Sequence, residues 1–390
     1  MRNSIIELNQ KHSLLKIKLL NFRSYKEIEL TLSNGHVVLY GPNGSGKTNF
    51  LEAISLLMPG RGLRSSKKEH FPFMEATPKN LNNDWAIHYT LKRGDNIYEI
   101  STGVQTLKPN FKSSRQYKVD GNILKSKEIS ELISMNWITP TMHNIINGAE
   151  NLRRSFFDRM ISALNPSHKN RLNKLEKLFR ERAKLLEKNI KDEKWFSIIE
   201  QEISQLSIAI IVERQNFTSK LDMFMAKPNN SIFPKVRILW SGIIEEWLTG
   251  EPAIYAEEKM ASYLKKERLD RSFNICGPSN SILKIWFGNL GLSSEICSTG
   301  QQKSILVSIV LAYSKLLKNK KEFSPILLLD EATAHLDEEQ FQAFFKESLD
   351  NSSQIWMTGT DKNIFKKLDK SMNLQYFVIN DSNITQPVDL

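Results

Sequence analysis

The sequence predicts an α/β P-loop nucleotide-binding fold, a mixed sheet with flanking helices, divided by an inserted and mainly α-helical second lobe. Three observations lead there. Residues 41–48 read GPNGSGKT directly after the apolar run Val37-Val38-Leu39-Tyr40, and the complementary segments STGQQ and LLLDEATAHLD begin only at residues 298 and 327. Between them the hydrophobic spacing turns helical. The gap of about 280 residues compares with about 100–150 for a compact domain, so something has been inserted between the two halves.

The 390 residues suffice for two or three domain-sized units with an ample core. No apolar stretch approaches the ~18 residues of a membrane span. The N-terminal MRNSIIELNQKHSLLKIK lacks the apolar region and cleavage site of a signal peptide. Cys276 and Cys297 are the only cysteines, which excludes a disulfide framework and points to a reducing cytoplasm. Lys and Arg number 54 against 43 Asp and Glu, with a pI near 9.3, a balance that suits a polyanion such as nucleic acid. A general Lys- and Asn-rich bias would give the same charge.

Leu15–Leu20 and Glu27–Leu32 have strand-like length and patterning, and Val37–Tyr40 suits a buried parallel strand. Thr48–Leu57 follows as a helix opening on the glycine loop. Trp85–Leu91 and Asn96–Thr102 flank an Arg93-Gly94-Asp95 turn, and Tyr117-Lys118-Val119 leads into Asp120-Gly121, so two hairpins are expected. After about residue 127, Leu172, Leu175, Phe179 and Leu186, then Ile199, Ile203, Leu206 and Ile210, recur at three- and four-residue spacing around a break at Asp192 and Glu193. They predict a short antiparallel helical hairpin, too short for a coiled-coil rod. Ile305–Leu317 reads as a helix, and Ile326–Leu329, Gln354–Thr358 and Tyr376–Ile379 as strands. The expected division is 1–125 and 265–390 for the split nucleotide-binding head and 126–264 for the helical lobe.

GPNGSGKT fits the P-loop pattern in the strand-to-helix context that its chemistry needs. Gly41, Pro42, Asn43, Gly44, Ser45 and Gly46 form the loop whose N–H groups turn onto phosphate oxygens, and Asn49 continues it. Lys47 is placed for the β and γ phosphates and Thr48 for Mg²⁺. Asp330 ends an apolar strand where it would hold the metal, and Glu331 next to it would be the general base that polarises an attacking water. An acidic pair in that position is by itself often just a helix cap. Ser298, Gly300 and Gln301 open a helix whose N–H groups suit a γ-phosphate, with a plain Ser298 N-cap as the simpler reading. Asp337 lies on the loop leaving the Asp330 strand.

From Asn165 to Lys191 nine Lys and Arg stand against three Glu, with Lys177, Lys184 and Lys188 on the face opposite the leucines. Arg61, Arg64 and Lys67 form a second basic loop behind the P-loop helix. Both are candidate phosphate contacts to DNA, giving salt-dependent affinity without sequence readout. A solvated basic face is the alternative for the first.

The order and spacing of the three nucleotide motifs resemble the ATP-binding-cassette ATPases. Together with Asn21-Phe22-Arg23-Ser24-Tyr25, Trp137-Ile138-Thr139-Pro140, the run Arg153 to Arg159 and LEKLFRERAKLLE at 175–187, they resemble the RecF family over nearly the whole chain. The resemblance implies an SMC-type ATPase head that binds ATP, dimerises on it with the signature segment completing the partner's site, and hydrolyses it slowly as a switch. It also implies binding to duplex DNA and to gaps or junctions, and action with RecO and RecR in loading RecA. Departures from the family pattern are the uncharged Gly277-Pro278-Ser279-Asn280-Ser281 and Ser-Thr-Gly-Gln in place of Ser-Gln-Gly-Gln. Transporter ATPases carry a histidine where this chain has Thr358-Gly359-Thr360-Asp361; that difference, the helical insertion and the basic balance argue against the alternative, an energising subunit of a membrane transporter.

Overall fold

The structure, a computed structural model, describes residues 11–73, 84–105, 115–226, 231–270, 276–288, 291–321, 323–331, 336–366, 368 and 373–386. The early strands are β1 (His12–Phe22), β2 (Tyr25–Thr31), β3 (His36–Tyr40), β4 (Trp85–Arg93), β5 (Asn96–Val104), β6 (Gln116–Val119), β7 (Asn122–Leu124) and β8 (Met135–Ile138). Later come β9 (Val236–Ser241), β10 (Ile282–Phe287), β11 (Leu292–Ser293), β12 (Ile326–Leu329), β13 (Gln354–Gly359), β14 (Leu374–Asn380) and β15 (Asn383–Thr385). The principal helices are α1 (Lys47–Ser55), α2 (Ser126–Leu132), α3 (Glu150–Leu164), α4 (Pro166–Glu187), α5 (Glu193–Ala226), α6 (Ala253–Leu269), α7 (Thr299–Lys321) and α8 (Glu338–Leu349). The chain forms two compact units: Met1–Met142, Asn230–Phe233 and Val310–Leu390 in the first, His143–Asn229 and Pro234–Ile309 in the second.

The first unit holds two six-stranded sheets, ordered β2-β1-β4-β5-β6-β7 and β15-β14-β3-β13-β12-β8. In the second sheet β14, β3, β13, β12 and β8 run parallel. Its central strands are buried on both faces, which is why HVVLY and ILLL read as unbroken apolar runs. The first sheet is an antiparallel meander. Its two-residue turn at Asp120-Gly121 has positive φ at both positions, 48° and 83°, as a hairpin matching the sheet's twist requires. A bulge between Leu14 and Lys16 shifts the phase of β1, so Leu14 and Ile17 both reach the core although they are three residues apart. Helix α1 contributes Phe50, Leu51 and Ile54 to a core shared with Leu14, Ile17 and Leu19 of one sheet and Val37, Leu39 and Trp356 of the other.

The second unit is mainly helical. Asn165 caps α4 by accepting from Ser167 N, with Pro166 at the first helical position. The expected hairpin is present: Leu175, Leu178 and Leu185 of α4 meet Phe196, Ile199, Ile203 and Ile210 of α5, and α6 adds Ala256, Met260 and Leu264. Buried Arg182 donates to Glu200 (3.0 Å) and the carbonyl of Leu264 (2.7 Å) and ion-pairs with Glu267 (2.7 Å), fixing the three helices together. Contrary to the expectation of no membrane-length apolar run, α5 contains a window apolar enough to cross a bilayer. Half of that window is buried, Ile199, Ile203, Ile208, Ile210 and Ile211 lie in the helical core, and the helix also carries buried Glu200 and Arg214. The three-stranded sheet β11-β10-β9 was not legible in the sequence, because β9 and β10 pair across more than 40 residues. Strand β8 was missed for the same reason.

Two histidines of the first unit are buried neutral. His12 packs edge-on against Phe323, and burial pulls its pKa down to about 3, with Arg93 and Lys321 nearby adding to the fall. Burial brings His36 to about 4, with Lys11 adding; its Nδ1 accepts from the Ile355 N–H at 3.0 Å. Both folded-state values lie below the unfolded value near 6.5, so this stability is complete above pH 6.5 and is lost as pH falls toward the folded values. Between pH 7 and pH 5 the first unit is expected to lose about 2 kcal/mol per histidine, read from urea unfolding midpoints at constant ionic strength. His12→Gln should flatten that slope; an unchanged slope in both His12→Gln and His36→Gln would refute the assignment.

Candidate active site

The end of β3 feeds the glycine loop. At Gly41 (φ 155°) a Cβ would lie 2.1 Å from the Ile379 carbonyl, and at Gly46 (φ 108°) one would lie 2.7 Å from the Tyr25 hydroxyl, so neither position admits a side chain. Tyr25 donates that hydroxyl to the Gly46 carbonyl at 3.0 Å. Helix α1 starts at Lys47 with no side-chain cap, leaving its first N–H groups for an anion. Buried Ser45 Oγ in the same loop has no partner. Lys47 Nζ donates to the carbonyls of Gly41 and Pro42, both at 2.7 Å. Burial lowers its pKa, against the pull of Glu331 and Asp330.

Asp330, at the end of β12, is buried. Its Oδ1 accepts from Thr48 Oγ1 at 2.9 Å and from Thr358 Oγ1 at 3.0 Å. Burial raises its carboxyl pKa, while the Thr48 and Thr358 hydrogen bonds and the charge of Arg64 oppose the rise. Thr358 Oγ1 also accepts from the Glu331 N–H at 2.7 Å, and Glu331 itself sits in the left-handed region at φ 48°. A backbone in that region stores about 1–3 kcal/mol and persists where its surroundings hold it. The sequence singled out Thr358 only as occupying a histidine's place; its visible signal was a hydroxyl on an otherwise apolar, fully buried strand.

The Asn21–Tyr25 turn braces the loop from behind. Arg23 forks onto Glu52 of α1 (2.8 and 3.0 Å) and donates to Ser66 Oγ (2.6 Å), which in turn donates to Glu52. Ser24 accepts from Asn49 Nδ2 at 3.0 Å, and Arg64 donates to Asn49 Oδ1 at 3.0 Å. The loop carrying Arg61, Arg64 and Lys67 is thereby fastened to the P-loop helix, with all three residues exposed.

Pro42, Asn43 and Gly44 are exposed at the loop's crest, and Thr48 meets Asp330, the other residue expected to hold the metal. Asp337 accepts from Gln340 N at 2.8 Å and caps α8; Ala332 to His335, before it, lie outside the described residues. In the second unit, Ser298 and Gln301 form a reciprocal cap, with Ser298 N donating to Gln301 Oε1 (2.8 Å) and Gln301 N to Ser298 Oγ (3.3 Å). Gly300 faces open space. Lys177, Lys184 and Lys188 are exposed on α4, but Arg182, counted in the same basic run, is buried in ion pairs. The Gly277–Ser281 segment is built in through its carbonyls: Arg214 donates to Pro278 O (2.6 Å) and Arg154 to Ser281 O (2.8 Å).

Fold and site together define a P-loop ATPase head of the SMC type with an inserted helical unit. The RecF/RecN/SMC N-terminal domain model matches residues 13–381. DNA replication and repair protein RecF of Rhizobium etli (strain CIAT 652) is 34% identical over 379 residues, 96% of this chain and 99% of that protein. The RecF of Brucella suis biovar 1 (strain 1330) is 33% identical over 380 residues, 96% of each chain. Among solved structures, the recombination mediator protein RecF with ATP, of the RecFOR pathway, aligns with a TM-score of 0.79 at 25% identity over 97% of this chain and 99% of that one. An Smc head domain from Pyrococcus furiosus, at 18% identity and a TM-score of 0.50 over 96% of this chain and 95% of that one, shares the fold. The chain belongs to the RecF family, and these relatives do not favour a transporter subunit.

Thr358→Val is expected to slow ATP turnover at least about tenfold, since it leaves the Glu331 N–H and one Asp330 bond unmade at about 1–3 kcal/mol each. ATP affinity should change little and Thr358→Ser should restore the rate; a Val variant with wild-type turnover would disprove the linkage.

Proposed function

We propose that this chain is an ATP-gated DNA-binding protein of recombinational repair and replication. ATP brings two heads together on duplex DNA at gaps or junctions, and slow hydrolysis releases them. The observation that carries the nucleotide half is the meeting of Thr48, Asp330, Thr358 and Glu331 beside an uncapped helix N-terminus. The unpartnered Ser45 hydroxyl and a partly desolvated Lys47 that donates to two loop carbonyls fit a phosphate. Mg²⁺, when bound, supplies charge neutralisation on the phosphates, and Thr48 with Asp330 would hold it. Gly41 to Thr48 bind and orient the phosphates, Lys47 offsets their charge, and Glu331 takes the proton of the attacking water. Asn49 and Asp337 flank the nucleotide. Ser298, Gly300 and Gln301 would serve the γ-phosphate of the second copy, which makes the ATP state dimeric. The DNA half rests on family membership, the net charge of +11 and the exposed Arg61, Arg64, Lys67, Lys177, Lys184 and Lys188. The named relative of the RecFOR pathway supports RecO and RecR as partners; RecA loading and a cytoplasmic location complete the same reading.

Lys47→Ala should abolish the doubling of light-scattering mass on adding ATP; a mass that still doubles would sink the ATP-dimer reading. Glu331→Gln should cut hydrolysis about a hundredfold or more and lengthen the lifetime of the ATP-bound dimer on DNA. Normal hydrolysis by that variant would remove Glu331 as general base. DNA affinity with ATP, measured on blunt and gapped duplex, should fall steeply across a salt series.

A further inference from the structure

The small sheet of the second unit presents one face to solvent. Along β9 and β10, Val236, Ile238, Trp240, Leu283 and Ile285 point inward and are buried. The alternate residues form directly opposed outward pairs: Arg237 with Trp286, Leu239 with Lys284, and Ser241 with Ile282. Opposed side chains lie about 5 Å apart on one face, so Trp286 is flanked by a guanidinium, with an ammonium one pair further along. Leu239 and Ile282 are 40% and 44% exposed, so among the described residues nothing covers these two positions. The two strands carry cations but no carboxylate. Beside Trp286 opens a cleft of 610 Å³ lined by Asp222, Lys235, Arg237 and Leu239, among others. Asp222 Oδ1 is buried there without a hydrogen-bond partner. Burial pushes that carboxyl up to about 6.

We infer that this face binds single-stranded nucleic acid, with Trp286 stacking an unpaired base and Arg237, Lys235 and Lys284 holding the flanking phosphates. A partly exposed aromatic ring such as Trp286, set among cations on a sheet face, is an arrangement by which single strands are bound without sequence readout. The cleft falls within the roughly 300–1,000 Å³ of small-ligand sites, and Asp222 offers an acceptor to a base's N–H edge. A purely apolar protein partner would leave three cations without counter-charge. The inference rests on the DNA-binding reading and deepens it, adding to the duplex contacts a separate place for the unpaired strand of a gap.

The test is fluorescence anisotropy of the full chain with a labelled oligothymidylate and with a blunt duplex, alongside ATP affinity. Trp286→Ala is expected to weaken oligothymidylate binding roughly five- to hundredfold, the range for loss of one stacked base, while duplex and ATP affinities stay within about twofold. Trp286→Phe should retain most of the affinity. Lys284→Glu, at an exposed position that does not threaten folding, should weaken the single strand alone. Wild-type oligothymidylate affinity in both Trp286→Ala and Lys284→Glu would overturn the inference, as would an equal loss on single strand and duplex. Native protein that binds duplex but not oligothymidylate overturns it while leaving the broader reading intact; native protein that binds neither removes both.

Discussion

One carboxylate oxygen organises the candidate site. Asp330 Oδ1 accepts the hydroxyls of Thr48 and Thr358, which stand 282 and 28 residues away in the chain. They meet because β3, β13 and β12 are neighbours in one parallel sheet, in a register that pairs Thr358 with Leu39 and Met357 with Leu329. A slip of one residue would turn Thr358 to the other face and leave a buried carboxylate with half its partners, at a cost of several kcal/mol. The register of the sheet and the chemistry of the site are therefore one constraint.

The parts of this arrangement legible in the sequence are those whose physics is local. A buried parallel strand shows as HVVLY or ILLL because both faces are covered, and the P-loop shows because a strand, glycines and a helix start must follow one another without interruption. The α4–α5 hairpin shows because helical spacing repeats over many turns. What stayed hidden depends on partners distant in the chain: β8 beside β12, the three-stranded sheet, and Thr358. The Asn21–Tyr25 turn was seen only as a mark of resemblance, yet it supplies three contacts to the loop and helix. Tyr25 reaches Gly46, Ser24 reaches Asn49 and Arg23 reaches Glu52. No local pattern announces such contacts.

Charge was legible in amount, but its division between surface and core was not. Within the basic run of residues 165–191, Lys177, Lys184 and Lys188 are exposed, but Arg182 is spent inside the helical core on Glu200 and Glu267, and Lys174 meets Glu202. Arg153, Arg154 and Arg214 likewise serve contacts within the second unit. Arginine suits that work, since its planar fork satisfies carboxylates and carbonyls together. The cations left exposed are mostly lysines, whose compact, strongly hydrated charge lends itself to sequence-independent phosphate contact.

The state of Lys47 suits the proposed site to nucleotide phosphates rather than water. Its ammonium is partly desolvated, and its partners in this structure are two neutral carbonyls at 2.7 Å. Carbonyl dipoles satisfy its hydrogen bonds without cancelling its charge, while Asp330 and Glu331 stand close enough to favour the charged form. Asp330 is in turn held by hydroxyls rather than by a salt bridge, so neither charge is neutralised by the other. The site thus keeps an uncancelled cation on the loop side and uncancelled carboxylates on the strand side. A phosphate chain accompanied by a divalent cation answers both at once, and either alone answers only half.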